Sequence, residues 1–455
     1  MTQFKQDKYQ PFLSSNPDLK GIDLLIPDLN GVLRGKRIQT SALKKVYQDG
    51  LCLPASVLAC DITGTTVEET GLGVETGDSD KICFPVQDSL TVAPWYDKSM
   101  AQTLLSMYET NGDPFFADPR HILKNILDKF KKLGLTPVVA LELEFYLLDP
   151  RRDKSKNPQS PISPGSGKRE NNTQVYSIDD LDNYGEFLGA VADMAKLQGI
   201  PTDTALAEYA PGQFEINLKH SDDPLKACDH GILLKRLIKG VAKKFEMKAT
   251  FMAKPYGNQA GSGMHIHCSL LKGKKNVFSN SKDITGSSTL HHAIGGLLKT
   301  MNETMALFCP NPNSYRRFQP DLYVPMAPTW GHDNRTVAVR IPSGTEKSKR
   351  IEHRVSGADA NPYLVVSSML AGIHYGITEQ VEPPKISTGD AIAKHKPSLP
   401  LDWNNSLDAF LKSKIIKPYF GNGFWKVYSE IRKKEMTLFK SHVSPQELDW
   451  YLNSV

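Results

Sequence analysis

Residues 138–147 read VVALELEFYL, and this alternation constrains the chain more than any other feature. Val139, Leu141, Leu143 and Phe145 share one parity; Ala140, Glu142, Glu144 and Tyr146 share the other. Successive side chains of a strand point to opposite faces. One face of this strand is therefore apolar, while the other projects two adjacent carboxylates that repel each other. Three more segments repeat the design. QFEINL at 213–218 sets Gln213, Glu215 and Asn217 against Phe214, Ile216 and Leu218, and Glu208 lies seven residues before Glu215, across Ala210-Pro211-Gly212. MHIHCSL at 264–270 sets His265, His267 and Ser269 against Ile266, Cys268 and Leu270. RIEHRV at 350–355 sets Arg350, Glu352 and Arg354 against Ile351, His353 and Val355.

Taken singly, each segment fits ordinary packing or surface decoration. Together, five glutamates and a histidine on strand faces make a cage of hard oxygen donors for more than one divalent ion. Carboxylate-rich ligation with little nitrogen and no thiolate suits Mg²⁺ or Mn²⁺ rather than Zn²⁺. Arg317, Arg335, Arg340, Arg350 and Arg354 are interspersed and supply bidentate partners for carboxylate or phosphate. Metals beside arginines equip a site for phosphoryl transfer. The chain has neither G-x-x-x-x-G-K-[ST] nor G-x-G-x-x-G, so a nucleotide is not expected to be held by a P-loop or a Rossmann turn.

The rest of the chain sets the frame. A length of 455 residues implies roughly two or three domains. Residues 22–38 read as a hairpin turning at Asp28-Leu29-Asn30-Gly31, and the pattern stays short and turn-rich to about 115, which reads as a small, mostly β domain. Asp118-Pro119 is a helix start, with a capping carboxylate before a proline in the first turn. Beyond it, helices are expected near 179–198, 223–245, 288–307, 361–378 and 422–438, alternating with strands; 150–174 and 381–404 have loop composition.

Lys+Arg less Asp+Glu is 55 − 50 = +5, well short of the charge density of a nucleic-acid binder. No apolar run reaches transmembrane length, and the N-terminus lacks the apolar core of a secretory signal. The six cysteines form no C-x-x-C, which points to reduced, packed thiols and a cytoplasmic protein.

Six ordered motifs resemble the glutamine synthetase superfamily: E-x-E-F at 142–145, P-G-Q-F-E at 211–215, G-S-G-M-H-I-H at 261–267, N-S-Y-R-R at 313–317, N-R-T-x-x-x-R-I-P at 334–342 and R-I-E-x-R at 350–354. The resemblance implies an α+β fold, with an N-terminal β-grasp domain (18–115) and a catalytic domain (116–455) whose curved antiparallel sheet is flanked by helices. It implies Glu144, Glu208 and Glu215 as ligands of a first metal and Glu142, His265 and Glu352 as ligands of a second, with two or three Mg²⁺ or Mn²⁺ ions per site. His267, Ser269, Lys347 and Arg350 match nucleotide-contacting positions, and Gly261, Arg317 and Arg354 match the glutamate pocket. Arg335 and Arg340 match arginines near the transferred phosphoryl group. Asp61, in CDITGT, matches an aspartate that completes a neighbouring subunit's site, which implies a homo-oligomer of two stacked hexameric rings. The implied substrates are ATP, L-glutamate and a small amine, with no nucleic acid or membrane as partner.

The chain departs from that pattern. True bacterial glutamine synthetases carry a flap glutamate six residues after the arginine matched by Arg317; here Tyr323 stands there. Ala260 replaces the usual asparagine before G-S-G, and the adenylylation tyrosine is absent near 395–400. Losing an anionic flap residue disfavours bare ammonium, and an aromatic suits the alkyl body of an organic amine. The chain is most similar to the γ-glutamylpolyamine (γ-glutamylputrescine) synthetase branch. Glutamine synthesis from ammonium is the alternative, and a non-catalytic relative a more remote one.

Overall fold

The computed structural model describes residues 9–97, 99–172, 175–280, 283, 285–319 and 322–455. Six strands form a first sheet: β1 (Gly21–Pro27), β2 (Leu33–Ile38), β3 (Leu51–Pro54), β4 (Asp80–Pro85), β5 (Thr91–Val92) and β6 (Met100–Tyr108). Their order is β2-β1-β6-β4-β3, with β5 on β6. The expected hairpin is β1–β2. Its turn closes because Asp28 Oδ1 accepts hydrogen bonds from the backbone N–H groups of Asn30 (2.8 Å) and Val32 (2.9 Å). β1 runs parallel to β6, the other neighbouring pairs are antiparallel, and the helix Leu43–Asp49 follows the hairpin, as in a β-grasp unit.

The second sheet has nine strands: β7 (Thr136–Leu148), β8 (Thr202–Ala207), β9 (Gln213–Leu218), β10 (Lys248–Thr250), β11 (Met264–Lys272), β12 (Lys275–Asn276), β13 (Trp330–His332), β14 (Val339–Ile341) and β15 (Ile351–His353). The order is β13-β14-β15-β11-β7-β9-β8, with β10 on β7 and β12 on β11, and the sheet curls into a half-barrel. Every pairing is antiparallel except β13–β14. Val139, Leu141, Leu143 and Phe145 are fully buried in one core with Ile266, Cys268 and Ile351. The helices Pro119–Lys132, Pro224–Lys244, Ser288–Phe308 and Pro362–Thr378 contribute to that core, so the apolar parity of each strand faces helices and the polar parity is left for chemistry.

Caps join the layers. Asp118 accepts from Arg120 N (2.8 Å) to start its helix, and its other oxygen accepts from Met107 N (2.8 Å) on β6. Asn361 accepts from Tyr363 N (3.0 Å) and donates to Asp28 O (2.9 Å), tying the helix Pro362–Thr378 to the turn of the first sheet. Four expected helices occur as Pro224–Lys244, Ser288–Phe308, Pro362–Thr378 and Asn422–Lys440. The helix expected over 179–198 is two, Ile178–Asn183 and Gly185–Leu197, because Tyr184 leaves helical geometry with ψ at 15°. The span 381–404 is mostly irregular, but Ala391–Lys394 is helical, and Asp402 caps a helix at Trp403–Leu411 through Asn405 N (2.9 Å).

All six cysteines are free thiols. Among the described residues, no helix is long and apolar enough to cross a membrane.

Candidate active site

Strand register assembles the site. His265 on β11 lies opposite Glu142 on β7, Glu144 lies opposite Glu215 on β9, Glu142 opposite Asn217, and His267 opposite Glu352 on β15. Four strands far apart in sequence thus place their polar parity on one patch. Among the described residues two triangles of donor atoms result, each with all atoms within 4.8 Å of one another: Glu142, His265 and Glu352, and Glu144, Glu215 and His265. His265 belongs to both. Glu208, just past β8, stands outside both triangles, but its carboxyl feels Glu144 and Glu142 electrostatically.

The electrostatics describe a place built for cations. Burial, then repulsion from Glu144, pushes the Glu208 carboxyl up to about 8. Glu215 is driven well above the carboxylate range by burial and by Glu142, Glu144 and Glu208. Buried acids that repel each other this strongly gain when a positive charge enters among them. Glu142 goes the other way. Burial works against its charge, but hydrogen bonds from His265 and His267 outweigh that and hold it far below the usual range. Arg350 Nε donates to His267 Nδ1 (3.0 Å), which assigns the imidazole proton to Nε2; that N–H donates to Glu142 Oε1 (2.6 Å). His265 Nδ1 lies 3.2 Å from Glu142 Oε2. Glu352 also stays low despite burial, chiefly because of Arg354. It accepts from Arg340 Nη1 (2.8 Å) and from Arg354 Nη1. Oxygen-rich donors with a single shared imidazole fit hard divalent cations.

Beside this patch, Arg317 is almost fully buried and donates from Nη1 to Val355 O (3.0 Å). The Nε atoms of Arg317, Arg340 and Arg354 are buried without a partner among the described residues. Glycine is required where the pocket is tightest: a Cβ on Gly261 would sit 2.6 Å from Arg317 Cγ and 2.9 Å from Ala253 O. Gly263 lets its own N–H donate to Glu144 Oε2 (2.7 Å), and a Cβ there would lie 3.2 Å from His265 Nε2. Gln213 Nε2 donates to Gly261 O (2.9 Å) and Tyr146 Oη to Ala260 O (2.7 Å), pinning this glycine loop to β9 and β7.

Other expected residues lie further out. Ser269 shares the His265–His267 parity on β11 and is half-buried; Lys347 and Arg335 are exposed. Tyr323 is 67% exposed in the segment after Arg317. Asp61 is buried in its own chain, where its carboxylate accepts hydrogen bonds from Thr63 and Thr65. Sequence reading also passed over two participants. Tyr146 was visible as the next residue of the polar parity. His220 packs its ring 5.9 Å from His267, and burial, then His267 and Arg350, depress its pKa; no local pattern marks it.

Comparison with known proteins decides the lineage. Residues 116–451 match the model of the glutamine synthetase catalytic domain. The chain belongs to the glutamine synthetase family. Among its relatives, the gamma-glutamylputrescine synthetase PuuA of Escherichia coli K12 is 43% identical, over 97% of this chain and 94% of that protein. The glutamate–isopropylamine ligase of a Pseudomonas species is 32% identical, over 94% of each chain. The solved GmaS/ADP complex superposes with a TM-score of 0.84 over 97% of this chain and 99% of its own, at 24% identity, and supports the family fold.

Proposed function

We propose that this chain is an ATP-dependent carboxylate–amine ligase that joins the γ-carboxylate of L-glutamate to the nitrogen of a small organic amine, putrescine or another polyamine. The observation that carries the reading is the pair of donor triangles sharing His265, flanked by arginines with unpartnered Nε atoms. Similarity to two glutamate–amine ligases supports it.

Glu144, Glu208 and Glu215 would hold one divalent cation and Glu142, His265 and Glu352 another, Mg²⁺ or Mn²⁺. When bound, such ions neutralise phosphate charge. Arg317, Arg354 and the Gly261 loop bind glutamate and aim its γ-carboxylate; His267, Ser269, Lys347 and Arg350 face the nucleotide. A γ-carboxylate oxygen attacks the γ-phosphorus of ATP and ADP leaves. Arg335 and Arg340 offset the charge on the transferred group. The amine nitrogen then attacks the acyl carbon of γ-glutamyl phosphate, the C–O bond to phosphate breaks, and the proton lost from nitrogen passes to Asp61 of a neighbouring subunit. Tyr323 borders the amine's entry. The division into an N-terminal unit, 18–115, that supplies Asp61 and a catalytic unit, 116–455, belongs to the same reading, as does assembly into two hexameric rings.

The test is phosphate release with ATP, glutamate, a divalent metal and a panel of acceptors: putrescine, longer polyamines, monoalkylamines and ammonium. Turnover with an organic amine at far higher kcat/KM than with ammonium supports the proposal. Preference for ammonium makes the chain a glutamine synthetase, and no turnover with any acceptor refutes both.

A further inference from the structure

The loop that carries Asp61 is fastened to the far end of the chain. Ile62 N–H donates to Glu435 Oε1 (2.7 Å) on the helix Asn422–Lys440. Glu435 Oε2 pairs with Arg432 Nη1 (2.9 Å), and both side chains are buried. Arg432 also donates from Nη1 to Pro310 O (2.9 Å) and from Nη2 to Asn30 Oδ1. Asn30 Nδ2 in turn donates to Cys60 O (3.1 Å). Two side chains of one helix thus hold three segments: the turn of the first sheet, the Asp61 loop, and the start of the stretch that runs from Pro310 to Arg317.

The Asp61 carboxylate is held on one side only. Oδ1 accepts from Thr63 N (2.9 Å), Thr63 Oγ1 (2.7 Å) and Thr65 N (3.0 Å), while Oδ2 is buried with no partner among the described residues. Arg34 Nε pairs with Asp28 (2.9 Å) and its Nη2 reaches the backbone Asp61 O (3.5 Å).

We infer that Glu435 is a positioning residue that fixes the Asp61 loop through Ile62 N–H, and that Arg432 couples this loop to the arm carrying Arg317. The inference deepens the proposed ligase reading and rests on it. It assigns the C-terminal helix a part in the amine step of the reaction. Because Arg317 belongs to this chain's own glutamate pocket while Asp61 serves a neighbour, Arg432 links adjacent sites through one buried guanidinium.

The experiment compares Glu435→Ala, Glu435→Gln, Arg432→Lys and Asp61→Asn in the full-length protein. Each is assayed by steady-state kinetics with the best amine and by rapid quench for acid-labile γ-glutamyl phosphate. Glu435→Ala removes the acceptor for Ile62 N–H and should lower kcat about tenfold, since small misplacements of a reacting group cost that much or more. The acyl-phosphate burst and KM for glutamate should not change. Glu435→Gln keeps an acceptor oxygen and should recover most of the rate. Arg432→Lys should lower kcat and also raise KM for glutamate, because it disturbs Pro310 as well. If Glu435→Ala does not fold, Glu435→Met fills its volume without an acceptor and takes its place. A slow Asp61→Asn beside a wild-type Glu435→Ala, or a burst that falls in step with kcat, overturns the inference. A fully active Asp61→Asn instead refutes the role given to Asp61 in the ligase reading.

Discussion

His265 belongs to both donor triangles, and its Nδ1 lies 3.2 Å from Glu142. Its removal should therefore disturb both cations at once, whereas loss of Glu144 should weaken chiefly one. His265→Ala is expected to reduce glutamate-dependent ADP formation by at least about 10–100-fold, the range seen for second-shell losses alone. Full turnover in that variant would remove the metal assignment. Glu208 yields a pH test. Its folded pKa of about 8 lies above the ordinary 4.5, so between those values the unfolded chain binds fewer protons than the folded one. The metal-free protein should lose stability as pH rises through that window, and a cation should restore it. Metal binding near pH 6.5 should release protons, measurable by calorimetry in two buffers of different ionisation enthalpy; zero proton release would contradict the assignment. At Tyr323, 67% exposed, Tyr323→Glu should raise catalytic efficiency for ammonium relative to putrescine. About tenfold needs only roughly 1.4 kcal/mol of differential transition-state stabilisation. If steady-state kinetics on both acceptors leave that ratio unmoved, Tyr323 does not select the amine.

At the scale of elements, strands positioned the site and were the most legible part of the chain. Alternation fixed which residues of β7, β9, β11 and β15 share a face, and antiparallel pairing brought those faces together. Alternation does not encode which strand neighbours which, so the sharing of His265 between two triangles was invisible in the sequence. The pairing of Arg340 with Glu352 was also out of reach, since Arg340 arrives from a neighbouring strand. Long amphipathic helices were readable, but the break at Tyr184, whose ring packs 4.9 Å from Phe214 in the core, was not. The short helix Trp403–Leu411 was hidden by the polar, proline-containing segment before it. The glycine loop before β11 marks where backbone must come close. Gly261→Ala would drive a methyl group against Arg317 and Ala253 O, so KM for glutamate should rise about tenfold or more while the fold survives. Unchanged glutamate kinetics in that variant would detach Arg317 from the substrate.

At the scale of the whole molecule, the two sheets are joined by Asn361, by Arg432 and by the Arg236–Asp23 ion pair (2.6 Å), so the Asp61 loop moves with the body of its own chain. Its carboxylate nevertheless lies outside the network of hydrogen bonds around the carboxylate patch, and residues 62–65 beside it are exposed. A ring of subunits resolves this if each loop tip docks on the next chain's site. In such a ring, a subunit lacking Asp61 and a subunit lacking a metal ligand are both inactive alone, yet they complement each other across one interface. The pair to use is Asp61→Ala with Glu142→Gln, the latter close in shape to the residue it replaces. A working site then needs an intact metal patch from an Asp61→Ala chain and an intact loop from a Glu142→Gln neighbour. With equal, random mixing in a closed ring, about one quarter of sites meet both conditions, so co-expressed chains should recover about that fraction of wild-type activity. Each variant expressed alone should remain inactive, and light scattering should find the mixture at the same large mass as the wild type. Absence of recovery in mixed rings of that mass would place Asp61 and the metal patch of one site in the same chain, and a fully active monomer would remove the ring altogether.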